Sequence, residues 1–377
     1  VTDAPQHLQD LAPIVRDIVA PMADEIDRGA KFPREAVEAM GRSGLLGLVS
    51  APDVGGRGGG LRQIAEVGTE LGRHCGSTAM VIQMHYAAAL VIEAQGSTEL
   101  RERVASGDAL ATLAFSEQGS RSHFWAPVST ATEAGGDRVR LDARKSWVTS
   151  AGEADVYVWS SRPVAAEGLS TLWAVPATAA GLSSPPPFDG LGLRGNASSP
   201  ITAEGVEVDT SAMLGPDGGG FDLMMSIVLP AFQVACAACC VGLMDASVTG
   251  AAGHAANTVF EHLDGTTLAD LPTIRAHLGR ARVMVDQTAG LLEDTLTAIE
   301  TGREDVMLKI LEVKASSGET ATQVTDLAMR VCGGAAFRRE VGVERRFRDA
   351  RAATIMAPTT DVLYDFIGKA VTGQPLF

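Results

Sequence analysis

Lys145-Ser-Trp-Val-Thr149 sets an aromatic and two β-branched residues in a short run closed by turn residues, which predicts a β-strand over Ser146–Thr149. Four more runs of the same kind, Arg138–Leu141, Val156–Ser160, Leu172–Val175 and Ile201–Val208, fall between Thr112 and Asp209. Together they predict an antiparallel β domain over residues 112–220. Pro185-Pro-Pro and Gly190-Leu-Gly-Leu-Arg-Gly-Asn mark long loops inside it, and Leu214-Gly-Pro-Asp-Gly-Gly-Gly-Phe221 closes it.

On either side the apolar spacing is helical. Leu8, Leu11, Val15, Ile18 and Val19, then Val37, Met40, Leu45 and Leu46, recur at helical intervals and predict an N-terminal helical domain over residues 1–111. The glycine-rich stretch Ser50-Ala-Pro-Asp-Val-Gly-Gly-Arg-Gly-Gly-Gly lacks the Lys-Ser/Thr of a phosphate loop, so it reads as a helix-to-helix connection. After Phe221 the spacing predicts helices near Asp222–Thr249, Leu271–Thr301, Val306–Val331 and Thr360–Thr372, a four-helix bundle over residues 221–377. The order of helices, β domain and helical bundle defines an α+β chain with segregated layers.

The 377 residues are 46% hydrophobic and 20% charged, enough to bury a large core, which excludes a disordered or fibrous chain. A net charge of −15 without a basic run excludes a phosphate-backbone reader, so nucleic acid is not an expected partner. Five cysteines, Cys75, Cys236, Cys239, Cys240 and Cys332, read as reduced core thiols, and no metal site follows from Cys236-x-x-Cys239. The apolar segment Met224–Met244 is interrupted by Pro230 and Gln233, so a buried helix is expected rather than a membrane span. Nothing at the start resembles a secretion signal, and a cytoplasmic location is the expectation.

Read in order, these segments resemble the acyl-CoA dehydrogenase family along nearly the whole chain. Pro52-Asp-Val-Gly-Gly56 is similar to the family's Pro-x-x-x-Gly-Gly loop, one residue shorter; Ser116-Glu-Gln-Gly-Ser-Arg-Ser122 is similar to its Thr-Glu-Pro-x-x-Gly-Ser segment. Lys145-Ser-Trp-Val-Thr149 matches its Lys-x-Trp-x-Thr strand, and Gly333-Gly334 and Arg348-Asp-Ala-Arg351 follow. The resemblance implies that family's fold and FAD, with FMN as the lesser alternative. It implies Ser116 at the flavin edge, Trp147 shielding the ring, Thr149 near N5, and Thr359 at the cofactor. Gly333 and Gly334 would approach the cofactor of a neighbouring subunit in a homo-oligomer, expected as a tetramer.

The departures fall on the base. A dehydrogenase of this kind needs a carboxylate to take the α-proton of an acyl thioester. The family's Tyr-Glu-Gly-Thr matches Met356-Ala-Pro-Thr359, which puts Ala357 at the base position. The alternative position, in a Leu-Asp-x-Glu-Arg segment, reads Leu229-Pro-Ala-Phe-Gln233, with Gln233 in place of the arginine. The family's Arg-x-x-Phe-Gly motif, a pyrophosphate holder, is not visible between Gly250 and Asp270.

Four polar residues are the candidates that remain for acid, base or substrate work: Ser122 and His123, which follow the glycine of the second motif, His85 on an N-terminal helix, and Asp361. Each has a plainer reading, as a loop residue, a packed histidine or a first-turn acid. The expectation is a flavin-dependent oxidoreductase that oxidises or oxygenates an aromatic, polyketide-like or acyl-thioester substrate, served by a flavin reductase or electron-transfer partner. The alternatives are a conventional dehydrogenase with a relocated base, at His123, Glu117 or Asp361, and a redox-silent flavin-binding protein.

Overall fold

Two kinds of neighbour relation organise the chain in the computed structural model, which describes residues 4–120 and 123–376. One unit holds the chain up to Val67 with Met80–Gly190 and Arg194–Phe232; the other holds Gly68–Ala79, Leu191–Leu193 and the chain from Gln233 onward. The helices Leu61–His74, Gly76–Gln95 and Leu229–Asn257 run from one unit into the other.

In the first unit the N-terminal helices expected from the spacing are present, among them Gln6–Ile14, Arg34–Arg42 and Thr98–Ser106. Thr98–Ser106 shows why such a segment starts and stops where it does. The Ser97 hydroxyl accepts the N–H of Leu100 at its start, and Gly107 turns left-handed (φ 82°) at its end. The glycine-rich connection folds on itself: the N–H groups of Gly56, Gly58 and Gly59 donate to the carbonyls of Ala51, Ser50 and Leu48. Those donors are already used, so the loop makes no anion cradle.

The β region forms two four-stranded sheets. Strands β1 (Ala111–Ala114), β4 (Val156–Ser161), β5 (Thr171–Pro176) and β8 (Met213–Leu214) lie in the order β1-β4-β5-β8. Strands β2 (Thr130–Gly135), β3 (Arg138–Val148), β7 (Ser199–Asp209) and β6 (Leu182–Ser183) lie in the order β2-β3-β7-β6. The purely antiparallel expectation is corrected at one place, because β1 and β4 pair in parallel. The chain leaves β1, builds β2 and β3 in the other sheet, and only then returns as β4, a crossover long enough for a parallel neighbour. Arg138–Leu141 and Ser146–Thr149, expected as separate strands, fall on one strand that ends at Val148, one residue before Thr149, and whose register with β7 shifts between Leu141 and Ala143 and again between Lys145 and Val148. Trp159 and Trp173 face each other across β4 and β5, and both are fully buried.

In the second unit, Val306–Cys332 packs against Pro272–Thr301 and Thr360–Val371. Ala251 and Ala255 meet Ala328, Val331, Cys332, Ala336 and Val343 in a core of small side chains. The expected helix Asp222–Thr249 is longer, running on to Asn257, and passes through a π-helical turn at Met224–Val228. That turn sits just ahead of Pro230, whose missing N–H breaks the regular ladder there. The helical stretch Gly220–Asn257 is long and apolar enough to cross a membrane, yet 89% of its most apolar window is buried inside the fold. Glycine lets its neighbours come close: a Cβ on Gly242 would lie 2.2 Å from the carbonyl oxygen of Thr69, and one on Gly72 would lie 2.7 Å from that of Cys239.

Gly242→Ala therefore forces two helical segments apart, at a cost of about 1–3 kcal/mol. Thermal unfolding followed by circular dichroism should show a lower midpoint for Gly242→Ala, whereas Gly253→Ala, where an added Cβ meets nothing within 4 Å, should not fall.

Candidate active site

Strand β3 ends in a strained corner. Trp147 (φ 55°) and Ser150 (φ 58°) both occupy the left-handed region, as does Ala197 (φ 49°) on the segment that pairs with them. Each such residue costs about 1–3 kcal/mol and persists only where its surroundings fix it. Here the Ser150 N–H donates to Asn196 O at 2.9 Å and the Ala151 N–H to Ala197 O at 3.1 Å. The consequence is an outward indole: Trp147 is 65% exposed, and its ring lies 4.3 Å from that of Phe188, tilted by 36°.

Beside it, the carbonyl of half-buried Ser116 accepts the Ser146 N–H at 2.8 Å, which fastens Ser116 next to Trp147. Thr149 is buried, and its carbonyl accepts the hydroxyl of Thr112 at 2.9 Å. The Ser150 hydroxyl is buried without a hydrogen-bond partner. An exposed flat aromatic face with Ser116, Thr149 and an unsatisfied hydroxyl around it suits the ring of a flavin, which needs an apolar wall and donors along its polar edge. The structure thus brings Ser116, Trp147 and Thr149 together. Phe188 and Ser150 belong to the same corner but were missed in the sequence; the only signal for Phe188 was an aromatic residue directly after Pro185-Pro-Pro.

Glu117, one of the relocated-base candidates, is committed elsewhere. Its carboxylate takes the ammonium of Lys145 at 2.5 Å, the N–H groups of Val128 at 2.6 Å and Ser129 at 2.9 Å, and the Ser129 hydroxyl. Burial works against its charge, but Lys145, Ser129 and Val128 outweigh it and hold the carboxyl below its ordinary range. Burial also draws Lys145 down to about 8, against the pull of Glu117, which leaves it protonated at neutral pH.

His85 is fully buried, with both ring nitrogens engaged. Nδ1 accepts the N–H of Ala111 at 3.1 Å, so Nε2 carries the proton and donates to Leu46 O at 3.0 Å. Its ring presents no free nitrogen, and burial lowers its pKa to about 4. His123 is an exposed loop residue whose N–H donates to Ser120 O and whose ring stands 5.1 Å from that of Trp125. Ser122 lies outside the described residues.

The second unit carries the segment where the base was sought. Ala357 precedes a cis proline, and the fully buried Lys314 donates to the carbonyls on both sides of it, Met356 O at 2.9 Å and Pro358 O at 2.6 Å. Thr359 caps the helix Thr360–Val371 by accepting the Val362 N–H, and Asp361 is exposed in that helix's first turn, where the helix dipole favours a negative charge. Gln233 is fully buried, and neither its amide oxygen nor its nitrogen has a partner. Gly333 (φ 56°) and Gly334 are exposed, with nothing within 4 Å of an added Cβ, so their backbone is open to a close approach.

Helices, two β-sheets and a helical bundle, with an outward tryptophan on a strained strand end, are the frame of a flavin-dependent oxidoreductase. Three successive family models match the chain: Acyl-CoA dehydrogenase, N-terminal domain, over residues 6–108; middle domain, over 112–206; and C-terminal domain, over 218–372. The chain belongs to the acyl-CoA dehydrogenase family. It is 28% identical over 370 residues to cyclohex-1-ene-1-carbonyl-CoA dehydrogenase of Geobacter metallireducens, covering 95% of this chain and 96% of that one. It is 27% identical over 372 residues to the human mitochondrial short-chain specific acyl-CoA dehydrogenase, covering 96% and 89%. The structure of a glutaryl-coenzyme A dehydrogenase in complex with glutaryl-CoA shares the fold, with a TM-score of 0.90 at 22% identity, covering 100% of this chain and 97% of that one.

The state of His85 fixes a pH dependence. Below about 6.5 the unfolded chain takes up a proton that folded His85 refuses until about 4, so stability falls as pH drops through that window, by roughly 3 kcal/mol at its foot. Urea midpoints measured at pH 7 and pH 4.5 should differ more for the wild type than for His85→Gln, whose amide keeps both hydrogen bonds without a titrating group.

Proposed function

We propose that the chain holds FAD, rather than FMN, at the corner formed by Ser116, Trp147 and Thr149, and oxidises or oxygenates its substrate without a carboxylate of its own beside the reacting carbon. Bound there, FAD supplies a two-electron acceptor. Trp147 covers one face of the ring and sheds water from it, with Phe188 behind the indole; Ser116 and Thr149 offer hydrogen bonds at the polar edge. Gly333 and Gly334 let the cofactor held by a second copy of the chain come close, within a homotetramer, and Thr359, beside the Lys314-bound turn, is a further cofactor contact. The substrate is an acyl thioester or an aromatic, polyketide-like compound. A flavin reductase or an electron-transfer partner in the cytoplasm exchanges electrons with the protein.

The observation that carries this reading is Ala357. A methyl group cannot take the α-proton of a thioester, and the Lys314 ammonium beside it is engaged by both flanking carbonyls. Glu117 is bound by its donors, His85 by the backbone, and Asp361 lies on an exposed first turn. Of the candidates placed by the structure, only His123 keeps an exposed imidazole. A second reading, a redox-silent flavin-binding subunit, is favoured by Gln233. A neutral amide stands there in place of an arginine, fully buried and with neither polar atom partnered.

An anaerobic visible spectrum of the FAD-loaded protein distinguishes these readings. No bleaching by a panel of acyl-CoA thioesters, then reduction by NAD(P)H with a flavin reductase and oxygen uptake on re-aeration, is the expected result. Bleaching by a thioester alone would establish conventional dehydrogenation, with His123 the first residue to replace. A flavin reduced by neither route would put the redox-silent reading in front. In Ala357→Glu, thioester-dependent bleaching should appear if the thioester pocket is intact; a variant that folds, binds FAD and stays inert toward the panel removes acyl thioesters from the substrate class.

A further inference from the structure

The corner that presents Trp147 is built over a buried ion pair, which ties β3 to the segments of Ser116, of Val128 and Ser129, and of Ser160. Lys145, two residues before Trp147, donates to Glu117 Oε1 at 2.5 Å, to Ser160 O at 2.6 Å and to Ser160 Oγ at 2.9 Å. Its ammonium also lies 5.0 Å from the centre of the Trp159 ring. Glu117, directly after Ser116, takes its remaining bonds from Val128 and Ser129, whose Oγ also lies 2.9 Å from Ser160 O. Glu117 and Lys145 are backbone neighbours in an isolated antiparallel bridge as well. The Lys145 side chain is 0% exposed and that of Glu117 1%, so neither reaches a ligand.

Stability alone is a weak reason to bury such a pair, since apolar residues of the same size often do as well. Geometry is a stronger one. The left-handed backbone of Trp147 needs restraint on both sides. Asn196 and Ala197 restrain it from the Ser150 side, and on the other side the anchored residue is Lys145. We propose that Glu117 and Lys145 are positioning residues for the cofactor: the pair locks Ser116 to β3 and presets Trp147–Thr149 in the geometry that receives the flavin ring, an inference that rests on the FAD reading above.

The test replaces both charges at once, in Glu117→Gln/Lys145→Met, so that no unpaired buried charge remains. Apoprotein circular dichroism and melting are expected to stay near wild type, while the FAD dissociation constant, read by flavin fluorescence, rises tenfold or more and the visible circular dichroism of the bound flavin changes. A folded double variant with wild-type affinity and an unaltered flavin spectrum overturns the proposal. Should the double variant not fold, Ser129→Ala removes one bond to Glu117 without touching a charge, and FAD affinity several-fold weaker supports the proposal where unchanged affinity overturns it. A wild-type protein that takes up no FAD overturns the FAD reading instead. The positioning role is then decided by amide hydrogen exchange over residues 147–149 of the apoprotein, where faster exchange in Ser129→Ala supports it and equal rates overturn it.

Discussion

A carboxylate and an ammonium 2.5 Å apart, sealed from solvent, set the form of the β region. Neither charge is tolerable alone in that interior, so each must collect partners, and the partners come from separate parts of the chain: Val128 and Ser129 just before β2, Ser160 on β4, and β3 itself through Lys145. The pair therefore joins the two sheets at one point. The crossover that returns β4 beside β1 carries Ser160 to the place where Lys145 needs an acceptor.

From that point the exposed indole follows. Once Lys145 is tied inward, the register shift between Lys145 and Val148 leaves Trp147 out of step with β7, and its side chain turns to solvent. A tryptophan that is 65% exposed is costly for an isolated chain, because about 25 cal/mol is forgone for each Å² of apolar surface left in water. Three left-handed residues and a buried ion pair flank this exposed ring, so its backbone is restrained on both sides.

What the sequence disclosed and what it hid divide along the same physical line. Elements with a repeating apolar period, such as Val306–Cys332 and Pro272–Thr301, were legible to within a residue or so at their ends, because burial on one face dictates the period. The Lys-x-Trp-x-Thr run placed Trp147 and Thr149 on a strand end. The parallel β1–β4 pair was not legible, since Ala111–Ala114 is short and its partner lies more than forty residues on. The contact of Phe188 with Trp147 joins residues far apart in the chain, and no local pattern encodes that. His85 looked like a polar residue available for chemistry. Its two backbone partners, Leu46 and Ala111, come from distant segments, and only the folded chain shows that the ring serves packing.

The apolar base position also has a logic beyond the loss of one side chain. Lys314 donates to the carbonyls of Met356 and Pro358, which fixes the turn around Ala357 with a buried cation. A glutamate at 357 would stand on a turn already held in place, so what the chain lacks there is the base and not the scaffold for it. Gln233 differs in kind. Its amide oxygen and nitrogen are both buried without partners, and an unsatisfied buried polar group costs on the order of 1–3 kcal/mol. One departure removes a reactive group and leaves its support intact, whereas the other replaces a cation and leaves polar atoms unsatisfied. The two departures are therefore physically distinct: at 357 a methyl stands on a turn held by Lys314, and at 233 a polar amide stands buried without a partner.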